Sequence, residues 1–310
     1  MELGVVLPQT DIGGEADALR TWAATAEALG YRHVMVYDHV VGADRLARPG
    51  WTGAFDRHST FHEPLVVFGY LAGVTTLSLL TGILILPQRQ TVLVAKQAAE
   101  VDLLSGGRLR LGVGLGWNHV EFEALGMPFG RRGKRLEEQV ALLRALWTQE
   151  SVSFHGRFDQ AAGLGLAPLP RQRPIPLWFG GSSAAAYERA GRLGDGWIPD
   201  RLLPGPDLVA AKAVVEFAAR AAGRDPARLG LQGRVRLVDR PKRDVDIGWI
   251  VRQVEAWRAA GATHVAIDTM GAAIGPLPAH LDVLRRCAEA LGLAAPAPCR
   301  PPGPPPEGDR

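Results

Sequence analysis

The stretch 79–117, LLTGILILPQRQTVLVAKQAAEVDLLSGGRLRLGVGLGW, sets the reading of the whole chain. Residues 79–86 form an apolar run that stops at Pro87 and read as a strand. Residues 91–104 carry a helical period and end at Ser105-Gly106-Gly107. A second short apolar run follows over 109–115. Strand, helix, strand is the signature of a βα unit on a parallel sheet.

The same alternation extends in both directions. Toward the N-terminus, 3–8 reads as a strand. A helix follows with Ala18, Trp22, Ala26 and Leu29 on one face and Gly30 as its stop. Residues 33–37 form a strand that runs into Asp38-His39. An irregular segment over 42–62 is long enough to be a functional loop, and a helix is expected over 64–75. Toward the C-terminus, 132–147 predicts an amphipathic helix with Leu136, Val140, Leu143 and Trp147 on its buried stripe. A small hairpin over 151–158, with Gly156 at its turn, then interrupts the pattern. Strands over 176–179, 196–199, 230–238 and 264–268 alternate with helices ending near 193, 222, 260 and 291.

Eight strands, each followed by a helix, predict an α/β fold: one closed (β/α)8 TIM barrel over 1–293, with a hairpin insertion after the fourth helix. Residues 294–310, dominated by Pro and Gly, are expected to be a disordered tail. Of the 310 residues 47% are hydrophobic and 22% charged, which excludes a disordered chain. The net charge of +3, with no basic block apart from acidic residues, argues against a nucleic-acid partner. Cys287 and Cys299 make neither a disulfide framework nor a zinc site. No basic, then apolar, leader opens the chain. The apolar run over 77–86 is broken by Ser78, Thr81 and Gly82 and is too short for a bilayer. A soluble, cytoplasmic protein without a membrane partner is expected.

Barrel active sites form at the C-terminal ends of strands, so chemistry is sought there. Asp38-His39 closes the second strand, where a His would move a proton near neutral pH; the alternative is a capping Asp beside a packed His. Gly180-Gly181-Ser182-Ser183 lies between strand and helix. It reads as a phosphate cradle or as a tight turn with a serine N-cap. Gly112-Val113-Gly114-Leu115-Gly116 is not a dinucleotide fingerprint, because no helix start is expected after it. Its small residues would make room for a flat ligand that Trp117 could wall. His58 and His62 have i, i+4 spacing but fall in the irregular loop, so no metal site is expected. Neither a Gly-x-Ser-x-Gly elbow nor a P-loop is present.

The 79–117 stretch resembles the luciferase-like monooxygenase superfamily, and more closely its branch using the deazaflavin coenzyme F420. Further matching segments follow in order: 122–139 (FEALGMPFGRRGKRLEEQ), the hairpin, PLWFGGSS over 176–183 and DGWIP over 195–199. The resemblance covers roughly residues 1–290. It implies the same barrel, a cofactor at the strand C-termini and a cis peptide at Gly82-Ile83 against the back of the cofactor ring. It also implies Asp38 and His39 near the ring, with Gly114 and Trp117 lining the site. The phosphate would be held by Gly180, Gly181, Ser182 and Ser183. Sugar-phosphate dehydrogenase members carry a Glu where this chain has Leu115, which argues against that activity.

An oxidoreductase exchanging hydride between F420 and a small organic substrate is therefore expected. His39 is the expected proton donor or acceptor, beside Asp38, and Trp51, Phe55 and Trp117 would form the substrate pocket. The alternative is a monooxygenase using reduced FMN and oxygen, and a third reading is a deazaflavin-binding protein without turnover. Family members are commonly dimers, which implies a homodimer.

Overall fold

The computed structural model describes residues 1–239 and 245–294. Its strands are β1 (Glu2–Val6), β2 (His33–Val36), β3 (Ser78–Thr81), β4 (Leu84–Ile85), β5 (Leu109–Gly114), β6 (Val152–His155), β7 (Gln160–Leu164), β8 (Leu177–Gly181), β9 (Gly196–Pro199), β10 (Gly230–Arg236) and β11 (His264–Asp268). The sheet runs β3-β2-β1-β11-β10-β9-β8-β5, and β5 pairs back in parallel with both β3 and β4. Eight parallel positions thus close into a barrel, with β4 continuing β3. Around it lie α1 (Ala16–Ala28), α2 (Pro64–Val74), α3 (Thr91–Leu104), α4 (His119–Ala124), α5 (Arg132–Thr148), α6 (Ala184–Leu193), α7 (Pro206–Ala221), α8 (Ile247–Ala259) and α9 (Leu277–Ala290). Among the described residues no helix is long and apolar enough to cross a membrane.

Several local expectations are corrected. The third strand is split by a cis peptide between Gly82 and Ile83, where the resemblance had placed it. The buried stripe of α1 is Leu19, Trp22, Ala23 and Ala26, one residue off the expected face at Ala18 and Leu29. The hairpin is β6–β7, so 156–159 is its turn and the second strand lies later than expected. The segment Gln160–Leu164 lacks the β-branched residues that advertise a strand. Its turn is fixed from α5, where the Glu138 carboxylate accepts from the backbone N–H groups of Arg157, Phe158 and Asp159 at 2.7–2.8 Å. A helix does follow the glycine-rich fifth strand: the Asn118 side chain accepts from Val120 N–H at 3.1 Å and caps α4. Six residues are too few to show a helical period. The expected tail, 294–310, lies outside the described residues except for Ala294.

Strand alternation sorts the side chains into two cores. Outward residues such as Val34, Leu79, Leu111, Leu177 and Ile267 pack against the helices in the main core. Inward residues Val6, Met35, Leu80, Trp178, Ile198 and Ala266 form a separate plug inside the barrel. Below the plug, at the N-terminal end of the strands, the interior turns polar. Arg110 lies 5.0 Å from the Trp178 ring centre, Trp178 meets His264 edge-on at 5.2 Å, and His264 meets His33 at 5.6 Å. Glycine makes this arrangement fit: a Cβ on Gly196 or Gly230 would come within 2.2 Å of the Trp178 ring. Burial pushes Arg110 down to about 10. It also pushes His33 well below its ordinary value, with Arg110 and His264 adding to the effect. Both His33 ring nitrogens are buried without a partner among the described residues.

A neutral buried histidine ties stability to pH. Below about pH 6.5 the unfolded chain takes up a proton that folded His33 refuses. Stability is therefore full above that pH and falls as the pH drops below it, by about 1.4 kcal/mol per pH unit for each such histidine. His264 and His280, also lowered by burial, contribute in the same direction. Denaturant titrations between pH 5 and 6.5 should show His33→Asn with a slope smaller by up to about one proton; an unchanged slope would mean His33 is charged in the fold.

Candidate functional site

Above the plug, inward positions at the strand C-termini open a cavity of about 400 Å³. Its shape follows from which residues come next along each strand. Three neighbouring positions are glycine: Gly82 after β3, Gly114 at the end of β5 and Gly180 in β8. A Cβ on Gly114 would lie 2.3 Å from Ile83 Cδ1, and one on Gly180 would lie 2.7 Å from Ile83 Cγ2. The missing side chains thus make the space in which Ile83 stands. One wall of the cavity is therefore backbone and an isoleucine.

The opposite wall is polar. The Tyr37 hydroxyl donates to Asp268 Oδ2 at 2.6 Å and accepts from Arg234 Nη1 at 3.1 Å. Arg234 Nη2 donates to Asp200 Oδ1 at 2.9 Å. Burial raises both the Tyr37 hydroxyl and the Asp268 carboxyl above their ordinary ranges, so Tyr37 keeps its proton. Burial works against the charge on Arg234, but Tyr37 and Asp200 outweigh it and hold the guanidinium protonated.

Asp38 and His39 lie side by side at the end of β2 and have different surroundings. Asp38 is buried, and both its oxygens are engaged: Oδ1 accepts from Arg89 Nη2 at 2.7 Å and Oδ2 from Ile85 N–H at 2.8 Å. Burial pushes its carboxyl upward, and Arg89 and the Ile85 N–H oppose that. Arg89 also donates to Glu63 at 2.7 Å. The turn carrying Arg89 is held in place by Gln139 of α5, whose amide donates to Leu86 O and Arg89 O at 3.2 Å. His39 faces the cavity with 12% of its side chain exposed. Its ring lies 4.6 Å from Phe61, 4.9 Å from Phe55 and 5.9 Å from Trp117. His39 Nδ1 is 3.0 Å from Glu121 Oε1, on α4, and the same oxygen accepts from Val40 N–H at 2.9 Å.

The glycine-serine segment performs two tasks. Gly181 has φ +143° and a Cβ there would lie 2.6 Å from Ala186 Cβ, so glycine is required. Ser183 caps α6, its hydroxyl accepting from Ala186 N–H at 3.3 Å, as the serine N-cap reading expected. Ser182 is exposed at the cavity, and Arg132 of α5 lines the same space. The first-turn N–H groups of α6 and these side chains suit an anion.

Trp117 lines the cavity and is 48% exposed. Trp51 does not line it; it stacks on Trp117 at 5.6 Å and 20° from outside. Phe55 lies behind His39 in an adjoining hollow of about 50 Å³. Leu115 lines the main cavity as an apolar residue. The sequence reading missed Tyr37, Asp200, Arg234, Asp268, Arg132 and Glu121. Tyr37, Arg234, Asp268 and Arg132 lie in segments whose pattern spoke only of strand or helix, and Asp200 and Glu121 fall where no element was expected.

A family model described as luciferase-like monooxygenase matches residues 1–244. The chain is 36% identical over 191 residues to an uncharacterized protein of Mycobacterium tuberculosis, covering 58% of this chain and 66% of that protein. It is 34% identical over 236 residues to the F420-dependent hydroxymycolic acid dehydrogenase of M. tuberculosis, covering 74% of this chain and 60% of that enzyme. Against the FMNH(2)-dependent dimethylsulfone monooxygenase of Pseudomonas putida it is 33% identical over 185 residues, 58% and 48% of the two chains. The chain thus matches two thirds or less of the length of each of these relatives. An F420-dependent secondary alcohol dehydrogenase, solved with an F420-acetone adduct, superposes with a TM-score of 0.75 at 18% identity over 93% of this chain and 97% of that one.

The glycine wall has a direct test. Gly114→Ala forces its Cβ against Ile83 and should cost about 1–3 kcal/mol of stability by overpacking. Adding Ile83→Ala removes the clash, so the double variant should be more stable than the sum of the single losses. Strict additivity in thermal melts would show that Ile83 does not occupy the space Gly114 leaves.

Proposed function

This chain belongs to the luciferase-like monooxygenase family, and from that premise we propose that it transfers hydride between coenzyme F420 and a small organic substrate. Being an oxidoreductase follows from the family; the cofactor and the reaction are the proposal. The convergence on one cavity of about 400 Å³ of His39, the Ile83 wall and the Gly180–Ser183 segment supports a ring cofactor, and the 34% identity over 236 residues with the F420-dependent hydroxymycolic acid dehydrogenase supports the deazaflavin. The residues fit such a cofactor. Glycines at 114 and 180 keep a wall on which a flat ring has room, Tyr37 and Arg234 offer hydrogen bonds to a polar ring edge, and the start of α6 with Ser182 and Arg132 suits a phosphate.

The deazaflavin supplies or accepts the hydride when bound. Everything else falls to this chain. In a reduction, substrate carbon gains the hydride and the neighbouring heteroatom gains a proton; in an oxidation both leave. His39 is the group placed in the cavity to give or take that proton, and Asp38 holds the strand end on which His39 stands. Trp117 shields the cavity mouth, with Trp51 stacked behind it. The rival cofactor is reduced FMN with oxygen, supported by the relationship to the dimethylsulfone monooxygenase. A flavin has nitrogen where a deazaflavin has carbon at ring position 5, and the carbon suppresses oxygen chemistry.

Titration of the purified protein with F420 and FMN in parallel, followed by fluorescence quenching, decides between them: tighter F420 binding is expected, and the reverse order would point to the monooxygenase. With F420 and an accepted substrate, His39→Ala should lower kcat at least about tenfold while leaving the cofactor Kd near wild type. Ser182→Ala should weaken cofactor binding by about tenfold, the worth of one hydrogen bond to a charged group. A change under about twofold would move the phosphate away from Ser182.

A further inference from the structure

Resting on that reading of His39 as the proton-transfer group, we infer that Glu121 is its positioning residue, locking the imidazole as the Nδ1–H tautomer so that Nε2 alone serves the cavity. Glu121 Oε1 accepts from Val40 N–H at 2.9 Å, a donor that cannot reverse its role. As a carboxylate Glu121 has only acceptors to offer, so the ring nitrogen 3.0 Å away on the same oxygen donates and Nδ1 carries the proton. Which ring nitrogen is protonated follows from the hydrogen bond its counterpart makes. With Nδ1 committed to Glu121, neutral His39 presents an Nε2 lone pair and protonated His39 presents Nε2–H. These are the two states a proton carrier needs.

The surroundings keep this pairing fixed. Glu121 is 1% exposed, so water does not compete for its oxygen. Phe55, Phe61 and Trp117 lie within 6 Å of the imidazole centre and restrain the ring from turning. The Asn118 cap starts α4 directly after Trp117, so one short segment delivers both the cavity's aromatic wall and the carboxylate behind His39. With Leu115 at the cavity face, this carboxylate approaches the imidazole from behind and does not face the substrate.

The tautomer is readable without cofactor. In protein labelled with 15N-histidine, neutral His39 should carry the proton on Nδ1 and the lone pair on Nε2. Glu121→Leu should release the ring toward the Nε2–H form, whereas Glu121→Gln, which keeps an acceptor oxygen, should retain Nδ1–H. A wild-type spectrum with Nε2–H overturns the inference, whether or not F420 binds, and it needs no variant to fold. Glu121→Leu retaining the Nδ1–H form would overturn it equally. In turnover with F420, Glu121→Leu should lower kcat about tenfold with unchanged cofactor Kd, and adding His39→Ala should cost little more. Full additivity of the two kcat losses would deny that Glu121 acts through His39. If the tautomer is as stated but F420 does not bind, the proposed function fails and the assignment of Glu121 stands.

Discussion

The buried carboxylate of Asp38 is the tie on which the upper half of the barrel depends. It joins the end of β2 to β4 through Ile85 N–H and to the following turn through Arg89, while Gln139 of α5 braces that turn from the other side. A buried carboxylate is tolerable only with its partners in place, and removing one partner of such a pair typically costs about 3–5 kcal/mol. The turn Leu86-Pro87-Gln88-Arg89-Gln90 supplies that partner, Arg89. On one side of the tie stands Ile83, on the other His39, so the cavity wall and the imidazole are held in register by the same ion pair.

This division of labour separates two residues that the sequence presents as a unit. Asp38-His39 reads as a polar pair available to a ligand, yet both Asp38 oxygens are engaged within the protein while His39 faces the cavity. Both residues border the cavity, but the Asp38 carboxylate is spent on Arg89 and Ile85 N–H while the His39 ring is not so engaged on both nitrogens.

The barrel was legible because its parallel strands are short apolar runs separated by helical periods, and elements such as α3, β9 and β11 keep their expected limits. Misreadings arose where local signal and tertiary outcome diverge. The second hairpin strand, Gln160–Leu164, carries no strand propensity and is paired because Glu138 fixes its turn. In the site, the glycines and the Asp38-His39 dipeptide announce themselves through composition at strand ends. Glu121, Arg234 and Asp268 do not, because a single charged residue in a strand or short helix reads as a solvated surface until the fold turns it inward. Trp51 shows the converse: an aromatic in an irregular loop suggests a pocket, but its ring is occupied by stacking on Trp117.

The two halves of the cavity make opposite demands on a ligand. The glycine side offers no side-chain donors and leaves only Ile83 and backbone, which favours a flat apolar face. The Tyr37–Asp200–Arg234 side is polar, and Arg234 Nε is buried there without a partner among the described residues, which favours a hydrogen-bonding edge. A planar heteroaromatic ring answers both walls, and flavins and deazaflavins share that form. The walls therefore select the ring and leave its chemistry to whatever else reaches the cavity. Among the cavity's ionisable groups, His39 has a partner pattern that still leaves one ring nitrogen for proton transfer, since Asp38 is committed to its clamp and Arg234 to its network. Under the proposed function, that free nitrogen would pair a proton with the hydride, the balance a carbon–heteroatom bond requires when it is made saturated or unsaturated.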